Sequence, residues 1–467
     1  MLNIARRQIV EGLRDAKFLF LAAVVLLAFL SNAIVFSDSY KAKMEDYKLH
    51  QLETHRLLQA ACDNLQTLAI FIQKFVQPPS PLEFIAEGGS STMPNAVEMN
   101  TFARWSVEYQ QRTNDHLPAL PAFDWVFIVG VLMTLLAILV SYAAVAGEKQ
   151  DGTLRLVLSN QVSKLQLFAG KAIGLLIVLL ICLLVGVTLN LVTMQLLGGP
   201  PIDADTIQPI SWAVALSALA VSAFVLLGMA VSSMARHPAI SLVILLVIWV
   251  LAVFAVPGIA RLISEQTVEV KSQAAVRDEI SAKMEELQAG SPREAGNWNG
   301  NPFDPHIPSR AKLWLDQLAA RMQIFDDWNA SKMRQVQVSN ALASVTPYGM
   351  LMDGLQKTCT SGVYGFMQLN RNAIQYRRQL YQFTVNMDKT DNETPHLVYG
   401  SYSYCDPGVF SQKPVAFSSV PKAASLWTSS GLPLEREWPV PQLLVMFGFN
   451  LLAGLAALIA LLRYDPR

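Results

Sequence analysis

The chain has 467 residues, 52% of them hydrophobic and only 15% charged, against about 25% charged in an ordinary globular domain. Lys plus Arg and Asp plus Glu balance at 36 each. The two signs are interspersed, so no basic stripe marks a nucleic-acid surface, and no nucleic-acid partner is expected. Together these features exclude a conventional soluble enzyme of three domains and point to the lipid bilayer.

The first 17 residues set Leu2, Ala5, Ile9, Leu13 and Ala16 at spacings of three and four, with Arg6, Arg7, Glu11, Arg14 and Asp15 between them. That pattern predicts a helix lying in the inner membrane interface; a plain extension of the first span is the alternative. Residues 18–37 carry no charge apart from their flanks and form the first expected span. Ser31-Asn32-Ala33 has the small-residue look of a signal cleavage site. The preceding acids and the length of the apolar run favour an uncleaved helix.

Residues 38–124 form the first large polar segment. The stretch from Tyr40 to Val76 has neither Pro nor Gly and predicts one long helix, stopped at Pro78–Pro81 because proline lacks the N–H and clashes with the preceding turn. Further charge-free runs place spans at 125–146, 172–197, 211–235, 238–260 and 438–462. Each is long enough for the roughly 20 residues that a crossing needs. A single central charge would cost about 2.5–3.5 kcal/mol there, so six clean runs specify an all-α polytopic membrane protein. Segments 38–124 and 261–437 then build one mainly helical extracytoplasmic domain from two insertions. The second is expected to be helical over 268–288 and 311–343 and loop-rich, with short strands, over 399–433.

Orientation follows from the short segments. Residues 1–17, the 147–171 stretch, Arg236 in the 235–238 turn, and the tail with Arg463 and Arg467 all carry positive charge on one side. The 197–211 loop, with Asp203 and Asp205, carries none. The positive-inside bias therefore places both termini in the cytoplasm. Trp125, Trp212 and Trp438 each open a span at its outer end, where indole rings favour the headgroup level; Trp249 lies mid-span and is assigned to packing.

Chemistry is sparse. The six histidines show no metal-ligand spacing, and no metal is expected. No GxxxxGK[ST] phosphate loop is present: Gly170-Lys171 is followed by Ala172, so ATP hydrolysis belongs in a separate subunit. Inside the spans stand Asn190, Thr193, Gln195 and Asn450. They either hydrogen-bond neighbouring helices or line a substrate path. Cys182 is intramembrane. Cys62, Cys359 and Cys405 lie outside, and Cys359–Cys405 is the expected disulfide, since both lie in one segment.

The most informative stretch is residues 147–171, far longer than a helix connection needs. Asp151 is placed to cap a short helix presenting Leu154 and Leu158 on one side, and Ser163-x-x-Gln166 has the form of a capping box for the next helix. The pattern describes a sticky cytosolic elbow tied to the second and third spans; an interfacial helix without a partner is the plainer reading.

Glu148-x-x-x-Gly152-Thr153-Leu154, Ser159-x-x-Val162-Ser163-Lys164 and Gly170-Lys171 resemble the signature that follows the second span in ABC-2 type transporter permeases. Gln161 and Lys164 stand where that family often has Pro and Arg, and Lys lacks the planar fork of Arg. Residues 78–94 and 343–351, with Tyr364-Gly-Phe366 and 375–379, resemble a subgroup with large extracytoplasmic insertions after the first and fifth spans.

The resemblance implies a half-transporter of the bacterial inner membrane. It has no cofactor of its own, ATP and magnesium residing in a partner ATPase. Expected partners are a cytosolic ABC ATPase, a second permease copy or sister permease, membrane lipids, and an extracytoplasmic protein. The implied ATPase-coupling residues are Glu148, Asp151, Gly152, Thr153, Leu154, Arg155, Leu158, Val162, Ser163, Lys164 and Lys171. Two functions fit: an exporter of a lipid, peptide or other amphipathic compound, or a mechanotransmitter whose outer domain acts on a partner.

Overall fold

A computed structural model describes residues 2–109, 123–159, 163–292, 306–390, 414–421 and 437–463. Six helices in it are long and apolar enough to cross a membrane, as the charge-free runs predict.

Helix α1 (Leu2–Arg14) precedes α2 (Ala16–Ala61), whose start is capped by the Asp15 carboxylate accepting from the Lys17 N–H. Helix α2 is apolar over its first 20 or so residues and polar beyond, so one continuous rod spans the bilayer length and projects past it. It ends at Ala61, well before the expected Val76. Asn64 then caps the short α3 (Leu65–Ile70) by accepting from the Thr67 N–H. The chain turns into β1 (Gln73–Val76), β2 (Pro94–Met99) and β3 (Arg104–Tyr109). These form an antiparallel sheet in the order β1-β2-β3, with Phe75 opposite Val97.

The second span, α4 (Trp125–Gln150), opens on Asp124, whose carboxylate accepts from the Phe127 N–H. After α5 (Thr153–Ser159) come α6 (Lys164–Leu196), α7 (Ala204–Met234) and α8 (Pro238–Thr267). Ser163 and Gln166 form the expected capping box at the start of α6.

Helix α8 widens into a π turn over Leu251–Ala255, and Pro257 supplies the reason. Proline has no N–H to give to the preceding turn, and π widening is a common response at such positions. The carbonyl of Ala252, five residues before Pro257, instead accepts from the Thr346 hydroxyl at 3.2 Å. Trp249, on the same helix, is buried and donates to the Thr134 hydroxyl at 2.9 Å, which fits its assignment to packing.

The second insertion continues with α9 (Gln273–Ala289), α10 (Ile307–Ala343), α11 (Pro347–Cys359) and α12 (Val363–Lys389) before the last span, α13 (Val440–Leu462). Helix α11 docks on the spans: Met350, Leu351, Leu355 and Cys359 join the same buried cluster as Leu216 and Met446. Thr346 caps α11 by accepting from the Gly349 N–H while donating to α8, so one hydroxyl ties the insertion to the fifth span. Helix α12 covers the sheet, where Leu369 and Tyr376 pack on Phe75, Val97 and Met99.

One further expectation is corrected. Trp125 is fully buried, edge-on to Phe29 and Phe84, because the loop after β1 folds over the end of the span and shields the ring from the lipid headgroups. Trp212 and Trp438 do sit together, half-buried, with ring centroids 6.0 Å apart. The outer segments are mainly helical among the described residues, with the sheet occupying part of the first. Cys405 and nearly all of 399–433 lie outside the described residues, and with them the expected disulfide partner of Cys359, which is itself buried.

Candidate functional site

The end of the bundle carrying both termini is built around the elbow between α4 and α6. Helix α4 breaks into a turn over 142–145, where backbone amides lose their regular intrahelical acceptors. Ser232 on α7 satisfies two of them, its hydroxyl accepting from the N–H groups of Val145 and Ala146, each at 3.0 Å. The two helices come this close because Gly228 faces Ser141. A Cβ at position 228 would lie 1.9 Å from the Ser141 hydroxyl oxygen.

Charge holds the elbow. The Lys171 ammonium, 4% exposed, pairs with the Glu148 carboxylate at 2.8 Å and also donates to the Ala144 carbonyl. Lys149 donates to the carbonyls of Ser233 and, at 3.3 Å, Ala235. Lys164 donates to the Leu462 carbonyl at 2.9 Å. Three lysines thus tie the elbow to the ends of α6, α7 and α13. Ammonium groups at carbonyl ends of helices are favoured there by the helix dipole.

Leu154 is the apolar counterpart. It is fully buried in a small cluster with Val145, Leu167 and Leu461, with Ile4 of α1 packed against it. The expectation that Leu154 faces outward for docking is therefore corrected: its side of α5 is turned into the bundle, where four elements supply a dry socket. Asp151, Gly152, Thr153 and Arg155 are exposed, and Leu156 is 67% exposed. Asp151 ends the last turn of α4 instead of capping α5, and Thr153 bonds back to the Glu148 carbonyl at 3.4 Å. Gly152 has φ +69°, a left-handed conformation that glycine adopts without strain and that makes the sharp corner between the two helices. Val162 lies outside the described residues, as does the Leu158 side chain; Ser163 is the capping residue of α6.

The intramembrane amides divide. Asn190 is buried and donates to the Phe29 carbonyl at 2.7 Å and to the Asn32 side-chain oxygen at 2.8 Å. Asn32 donates onward to the carbonyls of Phe84 and Phe123. Asn450 accepts from the Ser222 hydroxyl at 2.6 Å and donates to the Leu219 carbonyl at 3.1 Å. Both asparagines thus join helices. Gln195 donates to the Pro200 carbonyl at 2.7 Å at the end of its helix, and Thr193 is half-buried. Asn32 is missed from sequence because it stands alone in an apolar run; its signal is a lone amide in the first span facing the one in the third.

Opposite the elbow, Asp124 joins α4 to the loop after β1. One carboxylate oxygen accepts from the Glu87 N–H at 2.9 Å, the other from the Phe127 N–H at 3.0 Å. Burial dominates over these two bonds and pushes the carboxyl up to about 7. Asp353 on α11 makes a second junction, accepting from Tyr364 at 2.7 Å and Gln442 at 2.8 Å and pairing with Lys357 at 3.0 Å.

Six helices long and apolar enough to span, a polar elbow held between the second and third, and insertions docked at the opposite end define an all-α polytopic membrane protein. Residues 2–362 match the family described as ABC-2 family transporter protein. The chain belongs to that family, and is a permease subunit of an ABC transporter; a permease of this family works with an ATPase. No curated protein matches the chain.

Proposed function

We propose that the chain is the membrane half of an ATP-driven exporter, with its termini and elbow in the cytoplasm and its insertions outside the inner membrane. In this reading the elbow is a coupling helix that receives the ATPase. The observation that carries it is the exposed edge of the elbow, with Asp151 at the end of α4 and Thr153, Arg155 and Leu156 of α5 outward, on a base held by Lys171–Glu148, Lys149–Ser233 and the buried Leu154. A push on this edge passes through these contacts to α4, α6, α7 and α13. Two permease copies, or this chain and a sister, would enclose the path for a lipid, peptide or other amphipathic compound.

A mechanotransmitter is the second reading. It is favoured by Thr346 and Asp353, which bind the second insertion to α8 and α13. Motion of the spans would then be delivered to the outer module and its partner.

Purification of the tagged chain from native membranes, with mass spectrometry of everything retained, tests the shared premise. An ATP-binding subunit in equal amount supports it; its absence under conditions that preserve other ABC complexes refutes it. Flux of a labelled compound in liposomes separates the readings, since stimulated ATPase activity without flux leaves only the second.

A further inference from the structure

The sheet-bearing module contains a crevice that the coupling reading does not use. Its volume is about 540 Å³, inside the range of roughly 300–1,000 Å³ typical of small-molecule sites. Met322, Phe325 and Met333 of α10 form one wall, and Val107 of β3 with Phe366 of α12 form the opposite one. Methionine and aromatic side chains make an adaptable apolar lining, suited to a flexible hydrocarbon chain. Val336, also in the lining, stands seven residues from Ala343, so the crevice begins about 10 Å along α10 from the point where the helix meets the spans.

Among the described residues that line this apolar space, one is a cation. Lys332 is half-buried, and its ammonium sits 3.1 Å from the centre of the Trp328 ring. Among the described residues no carboxylate pairs with Lys332, whereas Lys271, just before α9, and Lys283, on it, have glutamate partners. Burial lowers the affinity of the Lys332 amine for its proton. A ring face compensates a cation only in part. An anionic group delivered by a ligand would complete the site. A protein partner is the poorer fit, since a stable interface covers about 800 Å² on each side and this crevice has the volume of a small-molecule site.

We propose that the module binds a single-chain anionic amphipath, its hydrocarbon tail in the crevice between α10, β3 and α12 and its acidic group on Lys332. This inference goes beyond the coupling reading and does not depend on it.

The test uses the full-length chain in phosphatidylcholine nanodiscs, without any ATPase. It is photolabelled with a fatty acid carrying a mid-chain diazirine, with or without excess oleate, and the labelled sites are mapped by mass spectrometry. The expected result is label within residues 307–343 that oleate displaces. Lys332→Gln is expected to weaken displacement by oleate about tenfold, the equivalent of one charge-assisted contact of about 1.4 kcal/mol. Displacement by the corresponding uncharged alcohol should stay within about twofold. Met333→Trp, which fills the crevice, is expected to abolish the displaceable label for acid and alcohol alike, while label in the spanning helices reports that the fold is intact. Label confined to the spans, label that oleate does not displace, or equal displacement by oleate in wild type and Lys332→Gln would each overturn the proposal.

Discussion

The ammonium of Lys171 and the carboxylate of Glu148 meet at 2.8 Å across the base of the elbow, one at the start of the third span and the other at the end of the second. Removing one member of a buried pair leaves the other charge unpaired and costs about 3–5 kcal/mol, whereas replacing both together is far milder. Lys171→Met is therefore expected to lower the thermal unfolding midpoint in detergent clearly, and Lys171→Met with Glu148→Gln to recover much of the loss. Additive losses in the double variant would show that the pair is not coupled.

Two leucines on α5, Leu154 and Leu156, separate folding from docking. Leu154→Asp places a charge in the socket formed with Val145, Leu167 and Leu461; burying an unpaired charge is among the most damaging substitutions, so stability should fall by several kcal/mol. Leu156→Asp alters an exposed side chain and should leave the unfolding midpoint unchanged while reducing retention of the ATPase on an affinity column severalfold. Equal stability of the two variants would contradict the buried position of Leu154.

Ser232→Ala removes the acceptor shared by the Val145 and Ala146 amides. An unsatisfied buried amide costs about 1–3 kcal/mol, and here the loss is local. Hydrogen exchange at residues 145–147 should accelerate in the variant without a change in the α6 amides.

Asp124 gives a pH signature. Its carboxyl is raised by burial from the ordinary 3.8 to about 7, so the folded state holds this proton more tightly than the unfolded one. The associated stability is complete below pH about 4 and is lost progressively as pH rises to about 7, by up to about 1.4 kcal/mol per unit. Across pH 5 to 7.5 the wild-type unfolding midpoint should therefore decline more steeply than that of Asp124→Asn. Parallel curves would show that Asp124 titrates as an exposed acid.

The spans were legible in the sequence because hydrocarbon tolerates few charges, and a run of 20 clean residues has no cheaper explanation. The Ser163–Gln166 capping box was legible because it is a local rule of three residues. What failed depended on distant contacts. Helix α2 stops at Ala61 because Asn64 caps another helix and Gln73–Val76 finds a partner in Pro94–Met99; a strand of four residues carries almost no pattern of its own. Trp125 has the position of an interface residue, and only the fold of 82–86 over it makes it core. Within the elbow, the exposed and buried sides of α5 were exchanged for Leu154, since a two-turn helix with several leucines does not reveal which side the bundle covers. The counterpart of Asn190 went unseen because Asn32 is 158 residues away in sequence.

The central claim is that the outward edge of α5 receives the ATPase. A photo-crosslinking residue placed at position 156, in the complex purified from native membranes, tests it most directly, with position 184, lipid-facing and mid-span, as the comparison. The account predicts an adduct with an ATP-binding subunit from position 156 and none from 184. An ATPase that co-purifies with the chain yet yields no adduct from position 156 or 155 would show that coupling enters elsewhere and contradict the account.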